Sequence, residues 1–194
     1  QNADLYLEPL RKLAELAERT GDLEEALKYL GKLNKLSPLN SERKIEMGEI
    51  HLELGNDDRA EELFNAAITQ ISNDAMEHIA ELATQIAKIY EKENPARAEA
   101  YIRKALNAKS KNLTKEDMRL FNKLGVALRK QGKWQDAVLE YRRALEIDPC
   151  DDTIYYNMGM AYAESDNFSD ALKCMEKALS FNADLPYISP GVAY

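Results

Sequence analysis

Two stretches of this sequence repeat the same helical pattern at a distance of 34 residues. Residues 133–149 read KWQDAVLEYRRALEIDP, and residues 167–183 read NFSDALKCMEKALSFNA. In both, an alanine is followed after four residues by a large side chain and after seven by an alanine–leucine pair. This spacing predicts an amphipathic helix. A helix copied in this way cannot bury its apolar face alone, so the copies are expected to stack on one another.

The pattern extends over most of the chain. Its key alanines, separated by 34, 38, 39 and 34 residues, are Ala26, Ala60, Ala98, Ala137 and Ala171. A small residue stands twelve positions before four of them: Ala14, Gly48, Gly125 and Gly159. Small residues on one helix let its partner approach closely, and the large residue of the partner fills the remaining space. The sequence therefore predicts tightly packed helix pairs.

A helix pair that recurs about every 34 residues in this form resembles the tetratricopeptide repeat. The resemblance implies an all-α fold, a right-handed α-α superhelix of about five helix-turn-helix repeats. We expect a single array over residues 1–194, with a C-terminal tail at 186–194 and repeats at residues 7–40, 41–74, 75–117, 118–151 and 152–185. The third repeat is irregular and carries insertions.

The turn inside each repeat is predicted to need a left-handed backbone. Gly21, Gly55 and Gly132 lie between the paired helices, where glycine adopts that conformation at low cost. The third and fifth repeats lack this glycine. We expect Asn94 and Asn167 to take its place, because asparagine tolerates left-handed angles better than most residues.

The resemblance also implies a concave groove, lined by the first helix of each repeat, that holds a peptide, a helix or a domain of another protein. We therefore predict a protein–protein interaction scaffold. The positions that the family geometry places in the groove are Glu8, Arg11, Glu15, Glu42, Ile45, Glu49, Leu52, Tyr90, Arg119, Asn122, Arg129, Tyr156 and Met160, with Ala80, Ala83, Ala87, Val126 and Thr153 between them.

One tetratricopeptide subfamily clamps the terminal carboxylate of chaperones with lysines and asparagines. Here Glu15 and Glu49 stand where that clamp needs asparagine, and two carboxylates would repel an acidic tail. The acidic first part of the groove and its Arg, Asn and Tyr residues further on suit a ligand with a basic and an apolar portion. The alternative is that these glutamates are ordinary solvent-exposed helix surface.

Charge limits the other classes of partner. The net charge is −8 and the acidic excess lies in both ends of the chain, so neither nucleic acid nor an anionic membrane is expected as a partner. RNA-binding helical repeats of similar length are disfavoured for the same reason. There is no apolar run long enough to span a membrane and no signal peptide, and two cysteines suggest a reducing compartment. We expect a cytoplasmic protein.

No catalytic, cofactor-binding or metal-binding constellation is evident in the sequence. His51 occupies a core-facing place, and His78 with Glu77 and Glu81 does not make a convincing metal site. Glycine-rich phosphate loops, nucleophile elbows and paired-cysteine metal motifs are absent. The sequence therefore predicts a chain that is not an enzyme and needs no cofactor.

The C-terminal end lacks the polar helix that normally covers the last repeat of a solenoid. The segment DLPYISPGVAY contains two prolines and a glycine, which forbid a full helix, so apolar residues of the preceding helix are expected to be partly uncovered. Either the tail folds back over them or the end forms a homo-oligomer. The residues predicted for self-association are Phe181, Tyr187, Ile188 and Tyr194.

A second function class remains open. The stretch LSPLNSERKIEMGEIHLELGNDDRAEELF is similar to bacterial proteins in which these repeats follow a receiver domain of two-component signalling. The chain opens at Gln1 without methionine, which leads us to expect an upstream segment in the parent protein. The alternative to a free scaffold is therefore a regulatory output module that acts through self-association.

Overall fold

The computed structural model describes residues 4–71, 75–109 and 114–182. Within these ranges the chain forms ten helices and no strand, which confirms the all-α fold class. The helices are α1 Asp4–Thr20, α2 Leu23–Leu36, α3 Ser41–Glu53, α4 Asp57–Thr69, α5 Met76–Tyr90, α6 Pro95–Ala108, α7 Lys115–Lys130, α8 Trp134–Ile147, α9 Asp152–Glu164 and α10 Phe168–Phe181. The seventh helix begins three residues before the predicted repeat boundary at residue 118.

The chain divides into two compact units, residues 1–82 and residues 83–194. In the first unit α1 packs on α2, α2 on α3, and α3 on α4. In the second unit α6 packs on α7, α7 on α8, α8 on α9, and α9 on α10. Within each unit these helices thus pack on their neighbours in the sequence, as stacked helix pairs require. The division into five repeats of one array stays a prediction.

In two of the helix pairs, an aromatic ring of one helix packs directly against a glycine of the other. A Cβ atom on Gly48 would lie 2.3 Å from Cε1 of Phe64, and one on Gly125 would lie 2.4 Å from Cε1 of Tyr141. Both rings have no exposed surface. Phe64 and Tyr141 follow their key alanines by four residues, so the small and large positions of the sequence pattern meet as predicted.

The turns within the pairs confirm three predictions and contradict two. Gly21, Gly55 and Gly132 have φ values of 78°, 74° and 72°. Asn94 and Asn167 instead have φ values of −141° and −89°. The prediction that they adopt left-handed angles is therefore wrong.

Both asparagines act as N-caps. The Oδ1 atom of Asn94 accepts a hydrogen bond from the backbone N–H of Arg97, and that of Asn167 accepts one from Asp170. Asparagine is as good a helix N-cap as it is a left-handed residue, so the residue type alone did not decide between these roles. In the turn before α10 it is Asp166 that has the positive φ, at 60°.

A buried carboxylate fixes the start of α7. Asp117 is 2% exposed, and its Oδ2 accepts hydrogen bonds from the backbone N–H of Thr114 at 2.7 Å and from its hydroxyl at 3.0 Å. The ammonium of Lys109, at the end of α6, lies 3.1 Å from Oδ1. Burial alone would raise the pKa of Asp117, but the bonds to Thr114 and Lys109 outweigh it and lower the pKa. One side chain therefore ties the end of α6 to the start of α7.

We predict that Gly125→Ala destabilises the fold by about 1–3 kcal/mol, because the new methyl group overlaps the ring of Tyr141. The matched control is Gly31→Ala, where a Cβ meets nothing within 4 Å inside α2 and should stabilise the helix by about 0.5–1 kcal/mol. Chemical denaturation measures both. Adding Tyr141→Leu to Gly125→Ala should recover part of the loss. Equal effects of the two alanines would contradict the close-contact explanation.

We predict that Asp117→Asn lowers the free energy of unfolding by about 1–3 kcal/mol near neutral pH. Because the folded pKa of Asp117 is lowered, its stabilisation is complete above the unfolded pKa of about 3.9 and is lost as the pH falls through the folded value. The difference between the two proteins should therefore shrink in acid. Asp136→Asn, at an exposed position early in α8, is the control and should change little. A difference that persists at pH 2 would refute the electrostatic origin.

Candidate functional site

The residues predicted to line the groove fall into three groups by exposure. Exposed residues are Glu8, Arg11, Glu42, Glu49, Arg119 and Thr153. Half-buried residues are Glu15, Leu52, Asn122, Val126, Arg129, Tyr156 and Met160. Five are buried: Ile45, Ala80, Ala83, Ala87 and Tyr90. Of the predicted self-association residues, Phe181 is exposed, whereas Tyr187, Ile188 and Tyr194 lie outside the described residues.

The five buried residues, Ile45, Tyr90 and the three alanines of α5, cannot present side chains to a partner, so their assignment to the groove surface is corrected. Ile45 has no exposed surface and belongs to the core. The ring of Tyr90 stacks on that of Tyr101 at 6.0 Å between centroids, and its hydroxyl accepts a hydrogen bond from Arg97 at 3.3 Å. Both side chains therefore hold neighbouring helices together.

In the first unit, carboxylates of α1 and α3 form an acidic surface. Buried Ala14 and Ala17 of α1 belong to the same apolar cluster as Met47 and Ile50 of α3, so the two helices share a core. Over that core lie the glutamates that define the α1–α3 face: Glu15, Glu18, Glu46, Glu49 and Glu53. Each glutamate of this face interacts electrostatically with at least one other.

The pKa values of this face show that its carboxylates repel each other. Desolvation by the surrounding protein raises the pKa of Glu18, and Glu15 and Glu53 raise it further. Desolvation also raises the pKa values of Glu46, with help from Glu18, and of Glu49, with help from Glu53 and Glu18. Partial desolvation and like charges both disfavour ionised carboxylates. The folded protein therefore holds these groups at a cost in free energy.

Counter-charges near the face are largely engaged elsewhere. Arg43 donates hydrogen bonds to the carbonyl oxygens of Leu33 and Ser37 at 2.8 and 3.2 Å. Lys12 lies 3.0 Å and Arg11 3.6 Å from the carboxylate of Glu15, and the hydrogen bond from Lys12 lowers the pKa of Glu15. Oε1 of Glu18 is buried and has no hydrogen-bond donor within the described part of the chain. Arg11 and Arg43 also act on Glu46 and lower its pKa, but desolvation outweighs them and the pKa of Glu46 stays raised. No positive charge contributes to the pKa of Glu18 or Glu49.

Glu15 and Glu49 of this region were predicted from the sequence, whereas Glu18, Glu46 and Glu53 were not. A signal existed in the sequence: Glu46, Glu49 and Glu53 are spaced three and four residues apart, so they share one side of α3. Only the packing of α1 beside α3 brings Glu18 to the same surface.

In the second unit, α7 and α9 lie side by side and share polar contacts. Nδ2 of Asn157 donates a hydrogen bond to Oδ1 of Asn122 at 2.9 Å. Arg129 forms an ion pair with Glu164, and Arg119 is exposed one turn before Asn122. The surface formed by these residues with Lys123, Val126, Tyr156 and Met160 is called the α7–α9 face. Three members of this face were not predicted from the sequence: Lys123, Asn157 and Glu164.

The side of α7 next to α5 adds a small apolar depression to this face. Ala87, Ala98, Ile102, Val126 and Ala127 line it, and its volume of about 10 Å³ admits roughly one water molecule. At its rim, Nζ of Lys123 lies 3.8 Å from the carboxylate of Glu91, whose backbone carbonyl accepts a hydrogen bond from Lys130 at 2.8 Å. The depression is too small for a ligand of its own.

The last described helix carries the exposed apolar residues expected at the C-terminal end. Phe168 is 66% exposed, Leu172 55% and Leu179 37%, and Met175 is half-buried. Their spacing of four, three and four residues places them in one stripe along α10. The stripe is a possible surface for association.

Both histidines lie outside these faces. Burial, assisted by Arg59, lowers the pKa of His51. His78 lies 3.5 Å from Glu81. In the described ranges, no three His, Cys, Asp or Glu residues are grouped so as to hold a metal ion, and no helix is long and apolar enough to cross a membrane.

Family models match three parts of the chain. A model described as tetratricopeptide repeat matches residues 17–86, another of the same description matches residues 153–185, and one described as TPR repeat matches residues 125–166. The unmatched stretch between them contains much of the irregular third repeat expected from the sequence.

Among curated proteins, the chain is similar to the Hsp70-Hsp90 organising protein of Plasmodium falciparum, with 32% identity over 83 residues, or 42% of this chain and 33% of that protein. It is also 27% identical over 187 residues to the human protein O-mannosyl-transferase TMTC1, which covers 96% of this chain but 20% of the transferase. The chain thus spans a third or less of the length of these relatives.

Solved structures share the fold. The crystal structure of YrrB, described as a TPR protein with an unusual peptide-binding site, superposes with a TM-score of 0.61 at 23% identity, covering 92% of this chain and 87% of that one. A crystal structure of MamA superposes with a TM-score of 0.58 at 18% identity, covering 94% and 96% of the two chains. With the family models and the glycine-seated helix pairs, these similarities establish that the chain belongs to the tetratricopeptide repeat family.

Proposed function

We propose that this chain is a non-catalytic scaffold for protein–protein interaction and that its α1–α3 face binds a basic segment of a partner protein. The observation that carries the proposal is the cluster of carboxylates with raised pKa values on that face. Catalysis has no part in the proposal, because the described residues offer neither a metal site nor an activated nucleophile.

The cluster lowers the stability of the fold, whereas an ordinary solvated helix face does so much less. Glutamates on separate helices, each surrounded by water, repel one another weakly. Here Glu18, Glu46 and Glu49 are partly desolvated, Glu18 raises the pKa values of both Glu46 and Glu49, and Glu49 raises that of Glu46. Lysines or arginines of a partner would supply the missing positive charge and turn this repulsion into attraction. Natural proteins commonly accept such local losses of stability at sites of function.

The relatives support a binding role without naming the partner. YrrB is described by its peptide-binding site, and the Plasmodium relative is named an Hsp70-Hsp90 organising protein. The acidic α1–α3 face argues against a ligand that ends in an acidic tail, because Glu49 and its neighbours would repel it. A basic segment fits this surface.

A second candidate function is self-association through α10. The stripe of Phe168, Leu172, Met175 and Leu179 is the observation that favours it, because exposed apolar side chains in one row mark surfaces that associate. A parent protein with a receiver domain, and a location in the cytoplasm, both stay predictions.

We predict that Glu49→Gln stabilises the fold by about 0.2–0.5 kcal/mol near neutral pH, because it removes a like-charge pair with Glu53 four residues away. The folded pKa of Glu49 is raised. The Glu49 carboxyl therefore destabilises the fold least below its unfolded pKa of about 4.3. The destabilisation grows as the pH rises through the folded pKa. The advantage of the variant should vanish in acid. Glu176→Gln on the exposed side of α10 is the control.

The same substitution tests binding. A fluorescent octalysine peptide serves as the basic probe, and its affinity should fall severalfold in the Glu46→Gln/Glu49→Gln protein. The control of equal net charge is Glu146→Gln/Glu176→Gln in the second unit. Equal losses in both proteins would show that the peptide senses only total charge, and the proposed site would then be wrong. Circular dichroism checks that the variants remain folded.

We predict that the chain forms a dimer at high concentration and that Leu172→Lys/Leu179→Lys abolishes it, because charges in the stripe oppose its burial. Sedimentation over a wide concentration range measures the mass. The control is Leu139→Lys on α8, which is 57% exposed but lies outside the stripe. Comparison with a chain that ends at Asn182 shows how much the segment with Tyr187, Ile188 and Tyr194 contributes to dimer formation. A monomer at every concentration would remove self-association from consideration.

A further inference from the structure

We propose that the apolar stripe on α10 packs against α1 of a second copy of this chain, in the way that α8 packs on α9 within one copy. This inference rests on the second candidate function, self-association through α10. It names the surface that the stripe contacts and makes the contact head-to-tail, so that each copy uses α10 on one partner and α1 on the other.

The first helix also carries exposed apolar side chains. Tyr6 is 62% exposed, Leu13 41% and Leu16 57%, and these three residues define the α1 stripe. Their spacing of seven and three residues places them on one side of α1. Exposed apolar side chains in one row mark a surface that associates. The structure therefore has such a row on its first helix as well as on its last described helix.

The corresponding residues of α3 are covered by a neighbouring helix. Leu13 and Leu16 precede Met47 and Ile50 by 34 residues, the length of one repeat. Met47 is 9% exposed and Ile50 5%, because both share an apolar cluster with Leu33 of α2, the helix that packs on α3. The α1 stripe therefore corresponds to the surface that receives the second helix of a preceding pair, and in α1 this surface is exposed.

The α10 stripe corresponds to the other half of the same contact. Leu172 follows Val138 of α8 by 34 residues, and Leu179 follows Leu145 in the same way. Val138 is 8% exposed and Leu145 is half-buried where α8 packs on α9, whereas both leucines of α10 are exposed. The α10 stripe therefore matches the surface that packs on the first helix of a following pair.

A second copy covers both stripes with one type of contact. Two α10 helices packed on each other around a two-fold axis would cover the α10 stripe but leave Leu13 and Leu16 of both copies in water. Packing α10 on α1 instead buries exposed leucines of both helices, which the hydrophobic effect favours. The resulting dimer keeps one unused stripe of each kind, so further copies can add to it.

Charges beside the two stripes are complementary. Arg103 of α6 lies 3.6 Å from the carboxylate of Glu140 of α8, so the second helices of successive pairs meet at this position. Counted from the key alanines, Glu176 of α10 takes the place of Arg103. Tyr29 of α2 takes the place of Glu140, and the ammonium group of Lys32 lies 5.4 Å from the centre of its ring. Packing α10 on α1 therefore brings the exposed carboxylate of Glu176 towards the exposed Lys32 of the second copy.

The test mixes two blocked forms of the full chain. Leu13→Lys/Leu16→Lys places charges in the α1 stripe, and Leu172→Lys/Leu179→Lys places them in the α10 stripe. We expect the unaltered chain to form assemblies larger than a dimer at high concentration and each variant alone to stay monomeric. An equimolar mixture of the variants should form a dimer and nothing larger, because it retains one intact stripe of each kind. Sedimentation measures the masses.

A matched control carries the same number of leucine-to-lysine changes. Leu39→Lys/Leu139→Lys lies at exposed positions outside both stripes and should associate as the unaltered chain does. Circular dichroism and thermal melts show whether each variant keeps its fold. If Leu13→Lys/Leu16→Lys does not fold, Leu13→Gln/Leu16→Gln takes its place, because glutamine suits a helix and still opposes burial.

A charge exchange locates the contact. Glu176→Lys and Lys32→Glu should each weaken association about fivefold, because like charges replace opposite ones. The two changes in one chain restore opposite charges and should recover most of the affinity. The control pair, Glu146→Lys and Lys35→Glu at other exposed positions, should show no such recovery.

The outcomes separate this inference from the proposed function. A dimer formed by Leu13→Lys/Leu16→Lys alone would show that α10 helices pair with each other, so self-association would stand and this inference would be wrong. A mixture that stays monomeric while the unaltered chain associates would also overturn it. Stronger association of a chain that ends at Asn182 would assign the α10 stripe to the tail. A monomer in every experiment would refute self-association as well, and octalysine binding would still decide the scaffold function.

Discussion

The close seating of an aromatic ring on a glycine is the contact on which the rest of this structure depends. Phe64 covers Gly48 and Tyr141 covers Gly125, at distances that leave no room for a Cβ atom. Each contact joins two helices that are adjacent in the sequence, so the core of a pair forms locally and without long loop closure. Because the core uses one side of α3 and α7, the other side is free to carry charges and amides that packing does not require.

Much of the fold could be predicted because the repeat is recognised from residue spacing along the sequence alone. The key alanines and the glycines twelve residues before them are read from spacing, and Ala26, Ala60 and Ala137 are fully buried. The third and fifth turns could not be predicted in detail. Asn94 and Asn167 suit two backbone conformations, and the choice depends on whether the neighbouring helix needs a cap at that position.

The candidate site was predictable only in part, because it depends on which helices lie side by side. Glu49, Arg119 and Asn122 were identified from their place on one helix, and the structure leaves them accessible or half-buried. Glu18 and Asn157 were missed because their importance comes from a neighbouring helix. Ile45 and Tyr90 were misassigned because positional analogy does not show how far each helix is rotated about its axis, and both face the core here.

The two faces are built from interactions of different range. Repulsion among the carboxylates of the α1–α3 face acts over several ångströms and has no preferred direction, so many arrangements of lysine and arginine relieve it, and salt weakens the effect. The amides of Asn122 and Asn157 act only at hydrogen-bond distance and only in line with their N–H and C=O groups. Under the proposed function, the first kind of surface speeds the capture of a partner. The bond between the two amides instead fixes the spacing of α7 and α9, because it breaks when either helix shifts out of line.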